Sequence, residues 1–147
     1  MGNIIEMRLF EVSDFNYVFN TFKQHIGTGM GDNELNVKIK NRMSNLAQCW
    51  ICEDMDQRVG FMITNLAGHF AHKKPLLQVD WLYLEDRFCN DACLDHIRNH
   101  LAGTVKQHNF ESIILTESGV LNPILMELMK KNSIIKMMDA VYSMELN

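Results

Sequence analysis

Apolar residues recur along this chain in two rhythms, and most runs end at a polar or glycine-rich break. Ile4, Ile5, Met7, Leu9 and Phe10 predict a strand within residues 4–12. Ser13 and Asp14 then offer a helix N-cap, where a side-chain oxygen accepts one of the N–H groups left orphaned at a helix start. Phe15, Val18, Phe19, Phe22 and Ile26 follow at helical spacing and form one apolar face. Gly27, Gly29 and Gly31 break that helix. A second helix is predicted over residues 33–47, with Leu35, Ile39, Met43 and Leu46 aligned. A hairpin comes next: residues 49–52 and 58–63 are strand-like around a polar turn at 53–57. Residues 75–84 form the longest strand candidate. A helix over residues 89–108 carries Leu94, Ile97, Leu101 and Val105 as its buried stripe. A strand at 112–116, a helix at 120–131 and strands at 134–138 and 141–146 close the chain. No repeat, linker or low-complexity tract interrupts the order, so residues 1–147 read as a single α/β domain.

Composition narrows the function classes. With 147 residues, 47% hydrophobic and 22% charged, the chain suits one folded domain rather than two or a disordered segment. The net charge of −4 argues against nucleic acid as a partner, because phosphate-backbone binding needs an excess of Lys and Arg. No apolar run approaches the roughly 18 residues that would span a bilayer. The first residues lack a basic segment followed by a long apolar one, so a cytoplasmic location is expected. The four cysteines are expected as free thiols. The 11 methionines suggest an adaptable core or contact surface.

The order of elements resembles the GNAT acyltransferase superfamily, whose mixed, mostly antiparallel sheet splays between its fourth and fifth strands and carries helices on both faces. Local features carry the resemblance. Met7 and Arg8 followed by Asp14 and Phe15 are similar to the family's opening strand and first-helix cap. Val59, Gly60 and Phe61 resemble the "vGf" of its third strand, and residues 79–84 its central fourth strand. Asn122, Leu125, Met126, Leu128, Lys131 and Ile134 keep the spacing of its last-helix segment. The resemblance implies an acetyl-CoA-dependent N-acyltransferase acting on a small-molecule or protein amine. Pantetheine would pair with the fourth strand at Leu82 and Leu84, near Asn122. The pyrophosphate would sit on the loop and helix start formed by Cys89, Asn90, Asp91, Ala92, Cys93 and Leu94. Helix-start N–H groups and the helix dipole attract such an anion, and glycines let the backbone approach it.

The chain departs from that pattern where the cofactor would be gripped. Cys89 stands at the basic position of the loop, and Arg87 reaches it only across a two-residue gap. Asn90, Ala92 and Leu94 occupy the close-approach positions, and Asp91 adds negative charge. None of the eight glycines lies between Leu84 and His100. Met129 stands where the family commonly places a proton-donating Tyr. Asp80 is the candidate base, directly or through water; as an alternative it is a strand-end carboxylate facing solvent or a Lys. Two readings therefore stand: an N-acetyltransferase with a divergent cofactor loop, or a non-catalytic GNAT-fold protein that binds a protein partner, such as a phage structural component. A homodimer is left open.

Other constellations carry less. Cys49 and Cys52 lie three apart on a predicted strand, which sends them to opposite faces and argues against a metal knuckle. Cys89, Cys93, His96 and His100 fall within a band about 60° wide on one helix. They are either a half-buried flank or a weak pH-sensitive patch, and no metal is expected. Gly27, Gly29 and Gly31 lack the Lys-Ser/Thr of a phosphate loop and form either a lid or a connector. Residues 125–129 are read as core, or as part of a partner surface.

Overall fold

The computed structural model describes residues 5–25, 29–44, 48–67, 76–108, 113–116, 119–131, 135–138 and 141–144. Seven strands form one sheet: β1 (Glu6–Leu9), β2 (Gln48–Asp54), β3 (Gln57–Ala67), β4 (Leu76–Leu84), β5 (Ile113–Thr116), β6 (Ile135–Met138) and β7 (Val141–Met144). Their order across the sheet is β1-β2-β3-β4-β5-β7-β6. Every neighbouring pair is antiparallel except β4 and β5. The helices are α1 (Phe15–His25), α2 (Asp32–Ser44), α3 (Asp91–His108) and α4 (Pro123–Lys131). A mixed, mostly antiparallel α/β sheet is therefore what the chain builds.

The two faces of the sheet are covered by different helices. On one, Val18 and Phe22 of α1 and Leu35 and Ile39 of α2 pack on Cys49, Ile51, Phe61 and Ile63. On the other, Leu94, Ile97 and Leu101 of α3 and Leu125, Met126 and Met129 of α4 pack on Met62, Val79, Leu82, Leu84 and Ile113. Helical spacing in the sequence identified these stripes. Met43 and Leu46, read as part of the α2 stripe, lie outside the residues whose side chains are described. Cys49 and Cys52 do face opposite ways, one into each cluster. Residues 125–129 supply core: Leu125, Met126 and Met129 are buried.

The β2–β3 hairpin turns on Met55 and Asp56, with φ of 48° and 66°. Two consecutive left-handed residues give the turn whose twist matches the flanking strands. Gly60 is required by β4, since a side chain there would collide with the Tyr83 carbonyl.

Asp14 differs from its expected role. It does not cap α1; it closes a short 3-10 turn, Val12–Asp14, that precedes the helix. Its carboxylate is fully buried and accepts four hydrogen bonds, all at 2.7 Å: from Nη1 and Nη2 of Arg8, from Nε of Arg58, and from the Glu11 backbone. Arg8 also reaches Glu53 at 2.8 Å. The network ties β1, β3 and the entry to α1 together. Long-range pairing with Arg58, 44 residues away, is what a local capping pattern does not reveal.

Candidate functional site

The site begins with an irregularity in β4. Ile63 pairs with Trp81 and Thr64 with Val79, so Asp80 is an extra residue, a β-bulge. The bulge shifts the phase of the strand by one. Leu77 and Val79 before it, and Leu82 and Leu84 after it, therefore all face α3 and α4. Trp81 and Tyr83 pack instead on the α1–α2 side. Asp80 is buried, and its Oδ1 accepts a hydrogen bond of 2.6 Å from the Gln78 amide. A carboxylate facing solvent, the alternative considered from sequence, is excluded by that burial.

Beyond the bulge, β4 and β5 part. Their parallel pairing covers only residues 77–79 against 113–115. The splay is not left open. Residues 120–122, read from sequence as the start of the last helix, are not helical; α4 begins at Pro123. They run beside the second half of β4, joined to it by an isolated parallel bridge. A Cβ on Gly119 would collide with the Asp80 carbonyl, so only glycine permits this approach at the bulge. Val120 forms a parallel bridge with Leu82, and the Leu121 N–H donates to the Leu82 carbonyl at 3.0 Å. Val120 packs on the α3–α4 side and Leu121 on the α1–α2 side, the alternation of a strand lying in the plane of the sheet.

Asn122 completes the closure. Its Nδ2 donates to the Leu84 carbonyl at 2.7 Å and to Asp86 at 2.8 Å, while its Oδ1 accepts the Ile124 N–H at 2.9 Å. One buried side chain thereby fastens the end of β4 to the start of α4.

The turn between β4 and α3 is also self-contained. Residues Asp86–Phe88 form a 3-10 turn with Phe88 fully buried. Cys89, expected within the helix, precedes it; its thiol points at the carbonyls of Leu84 and Glu85 at 3.7 and 3.5 Å. Burial pushes that thiol up to about 11, with Asp86 and Cys93 adding to the effect. Asn90 is the residue before the first turn of α3, and its Oδ1 accepts the Cys93 N–H at 2.9 Å. Cys93 and Leu94 are core residues, Asp91 and Ala92 are exposed, and Asp91 stands in the first turn. Arg87 lies over the Phe88 ring at 4.7 Å and pairs with Glu85 at 3.6 Å.

The predicted residues thus fall into three groups. Leu82, Leu84, Cys89 and Asn122 meet along the end of β4, with Arg87 in the 3-10 turn that follows it. Asn90, Asp91, Ala92, Cys93 and Leu94 form the start of α3, and Asp80 sits at the bulge. Residues 119–121 were missed: the apolar spacing of Val120, Leu121, Ile124 and Leu125 imitates a helix, and Gly119 was the one signal of a close backbone approach. Among the described residues, no group of three or more His, Cys, Asp or Glu side chains is placed to hold a metal ion, and no helix is long and apolar enough to cross a membrane.

No protein-family model matches the chain, and no curated protein sequence does. Solved structures match in shape. A predicted acetyltransferase from Clostridium acetobutylicum, determined with acetyl-CoA, superposes with a TM-score of 0.66 at 18% identity, covering 92% of each chain. A ribosomal-protein-alanine N-acetyltransferase from Brucella melitensis biovar Abortus 2308 gives 0.66 at 13% identity, over 92% of this chain and 93% of the other. A GNAT family acetyltransferase from Staphylococcus aureus gives 0.61 at 15% identity, over 77% and 86%. The chain has the GNAT acetyltransferase fold.

Acetyl-CoA, which that fold implies, does not fit the cleft as it stands. The carbonyls of Leu82 and Leu84, the backbone groups a pantetheine arm would use, are taken by Leu121 and Asn122. At the start of α3, where a pyrophosphate would sit, Asn90 already satisfies one N–H and Asp91 opposes the anion. Met129, at the position where the family commonly carries a Tyr, is buried in the core and has no proton to donate.

Proposed function

We propose that this protein is a non-catalytic GNAT-fold binding or assembly protein, its cofactor cleft closed by its own residues 119–122. The observation that carries this reading is the in-plane insertion of Val120 and Leu121 beside Leu82, fastened by Asn122. A segment paired with β4 and packed into both faces must be pulled out before a ligand can take its place. That costs backbone hydrogen bonds and apolar burial together. The capped α3 start and the missing Tyr support the same reading. Its partner is a protein rather than nucleic acid or membrane, in keeping with the net charge of −4, and its compartment is the cytoplasm.

The test is thermal unfolding with millimolar acetyl-CoA. A ligand at about 100 times its Kd stabilises the native state by about 2.7 kcal/mol. The melting temperature is expected to stay unchanged, and a saturable rise overturns the reading.

A second reading, an acetyl-CoA-dependent N-acetyltransferase acting on a small-molecule or protein amine, is favoured by the bulge at Asp80 and its buried carboxylate. On that reading residues 119–122 leave the cleft when the cofactor enters, and Asp80 accepts the amine proton. The same titration decides between them, with CoA release in the presence of amines as the confirming measurement.

A further inference from the structure

Away from the closed cleft, a cavity of about 460 Å³ opens between the C-terminal half of α3 and the β1–β2 end of the sheet. That volume lies within the roughly 300–1,000 Å³ of small-molecule sites. Three carboxamides (Gln48, Asn99 and Gln107) stand around it, with the Thr104 hydroxyl, two imidazoles, and Trp50 and Leu9 as apolar wall. Among the described residues, no Lys, Arg, Asp or Glu lines it.

His100 is the anchor. Its ring packs edge-on against Trp50, centroids 4.3 Å apart, which fixes its orientation. Its Nε2 is buried and has no hydrogen-bond partner among the described residues. A buried polar atom left unpaired is costly. Burial lowers the proton affinity of His100, and His96 adds to the effect, so the ring is neutral at pH 7. Thr104 donates its hydroxyl to the His100 carbonyl at 3.0 Å, leaving its oxygen free to accept.

We infer that this cavity binds a neutral saccharide. The described lining, without formal carboxylate, ammonium or guanidinium groups, selects neither for anions nor for cations. Each carboxamide presents a donor and an acceptor side by side, which suits neighbouring hydroxyls. A sugar ring also has an apolar C–H face for Trp50 and Leu9. The inference does not depend on the closed cleft, because the cavity lies elsewhere on the sheet.

The experiment is saturation-transfer NMR on the full chain with glucose and with maltose, and with adenosine and sulfate as controls. At least one sugar is expected to bind saturably at millimolar concentration, with neither control competing. Gly103 lines the cavity, and a Cβ added there meets nothing within 4 Å. Gly103→Leu is therefore expected to fill the space and abolish the signal while the melting temperature does not fall and circular dichroism stays native. His100→Ala is expected to weaken binding about tenfold. Failure of both sugars to bind overturns the inference. So does adenosine binding in their place, or sugar binding undiminished in Gly103→Leu.

Discussion

At the scale of single residues, Asp14 concentrates more interaction than any sequence motif announced. The two arginines beside it hold its carboxyl well below the usual carboxylate range, against the opposing effect of burial. Removing one member of such a network leaves charges without partners. Asp14→Asn is expected to cost about 3 kcal/mol in urea unfolding at pH 7, the low end for a buried pair because both arginines are about one-third exposed. The pH dependence has a definite sign. The native group titrates below the unfolded value of 3.8, so its contribution is fully present above that pH. It is lost as pH falls through 3.8 toward the native value. The stability difference between parent and variant should shrink over that window, and a constant difference would refute the assignment. The cysteines make the opposite case, of groups silenced by burial. Cys49 and Cys52 are pushed up to about 12 and Cys89 to about 11, chiefly by desolvation. Little thiolate exists at neutral pH, so reaction with a disulfide reagent should be slow in the native state and rapid in denaturant. Cys89, the one thiol not fully buried, should react first.

At the scale of elements, the sequence was most informative where a pattern is local. The hairpin turn, the apolar faces of α1 and α3 and the opposed directions of Cys49 and Cys52 follow from periods of 3.6 and 2. It was least informative where one segment meets another far away, as Asp14 meets Arg58, and where a family pattern hid a local one. Asn90 looked like a missing glycine because the family pattern frames that loop as a phosphate cradle. In the fold it is an N-cap whose own side chain fills the position. Gly103 poses the reverse question, since it sits in the interior of α3 without being needed there. It has no positive φ, and the space beside it is open. Gly103→Ala should therefore stabilise the protein by about 0.4–1 kcal/mol, by restricting the unfolded chain and favouring the helix. Chemical denaturation reads this directly. A loss of stability would mean that the helix is strained there or that the added methyl meets a neighbour.

At the scale of the whole molecule, the fold was legible and the closure of its cleft was not, for one physical reason. The order and length of strands and helices are set by hydrophobic rhythm, and that rhythm survives at 10–18% identity to the solved acetyltransferases. Whether β4 and β5 stay apart depends on what residues 119–122 do, and their apolar spacing fits a helix as well as a strand. Hydrogen exchange distinguishes an inserted strand from a loop that merely passes by. If Leu121 is bonded to Leu82 in the plane of the sheet, its amide opens only with the surrounding β4 core, and its protection should match that of the β3–β4 ladder. Asn122→Ala removes the fastening to Leu84 and Asp86 and should lower that protection selectively, leaving amides of the β2–β3 hairpin unchanged. Adding acetyl-CoA should alter neither pattern. A Leu121 amide that exchanges as fast as an exposed loop would show that the splay is open in solution, and a cofactor-dependent change at Leu82 and Leu84 would restore the catalytic reading.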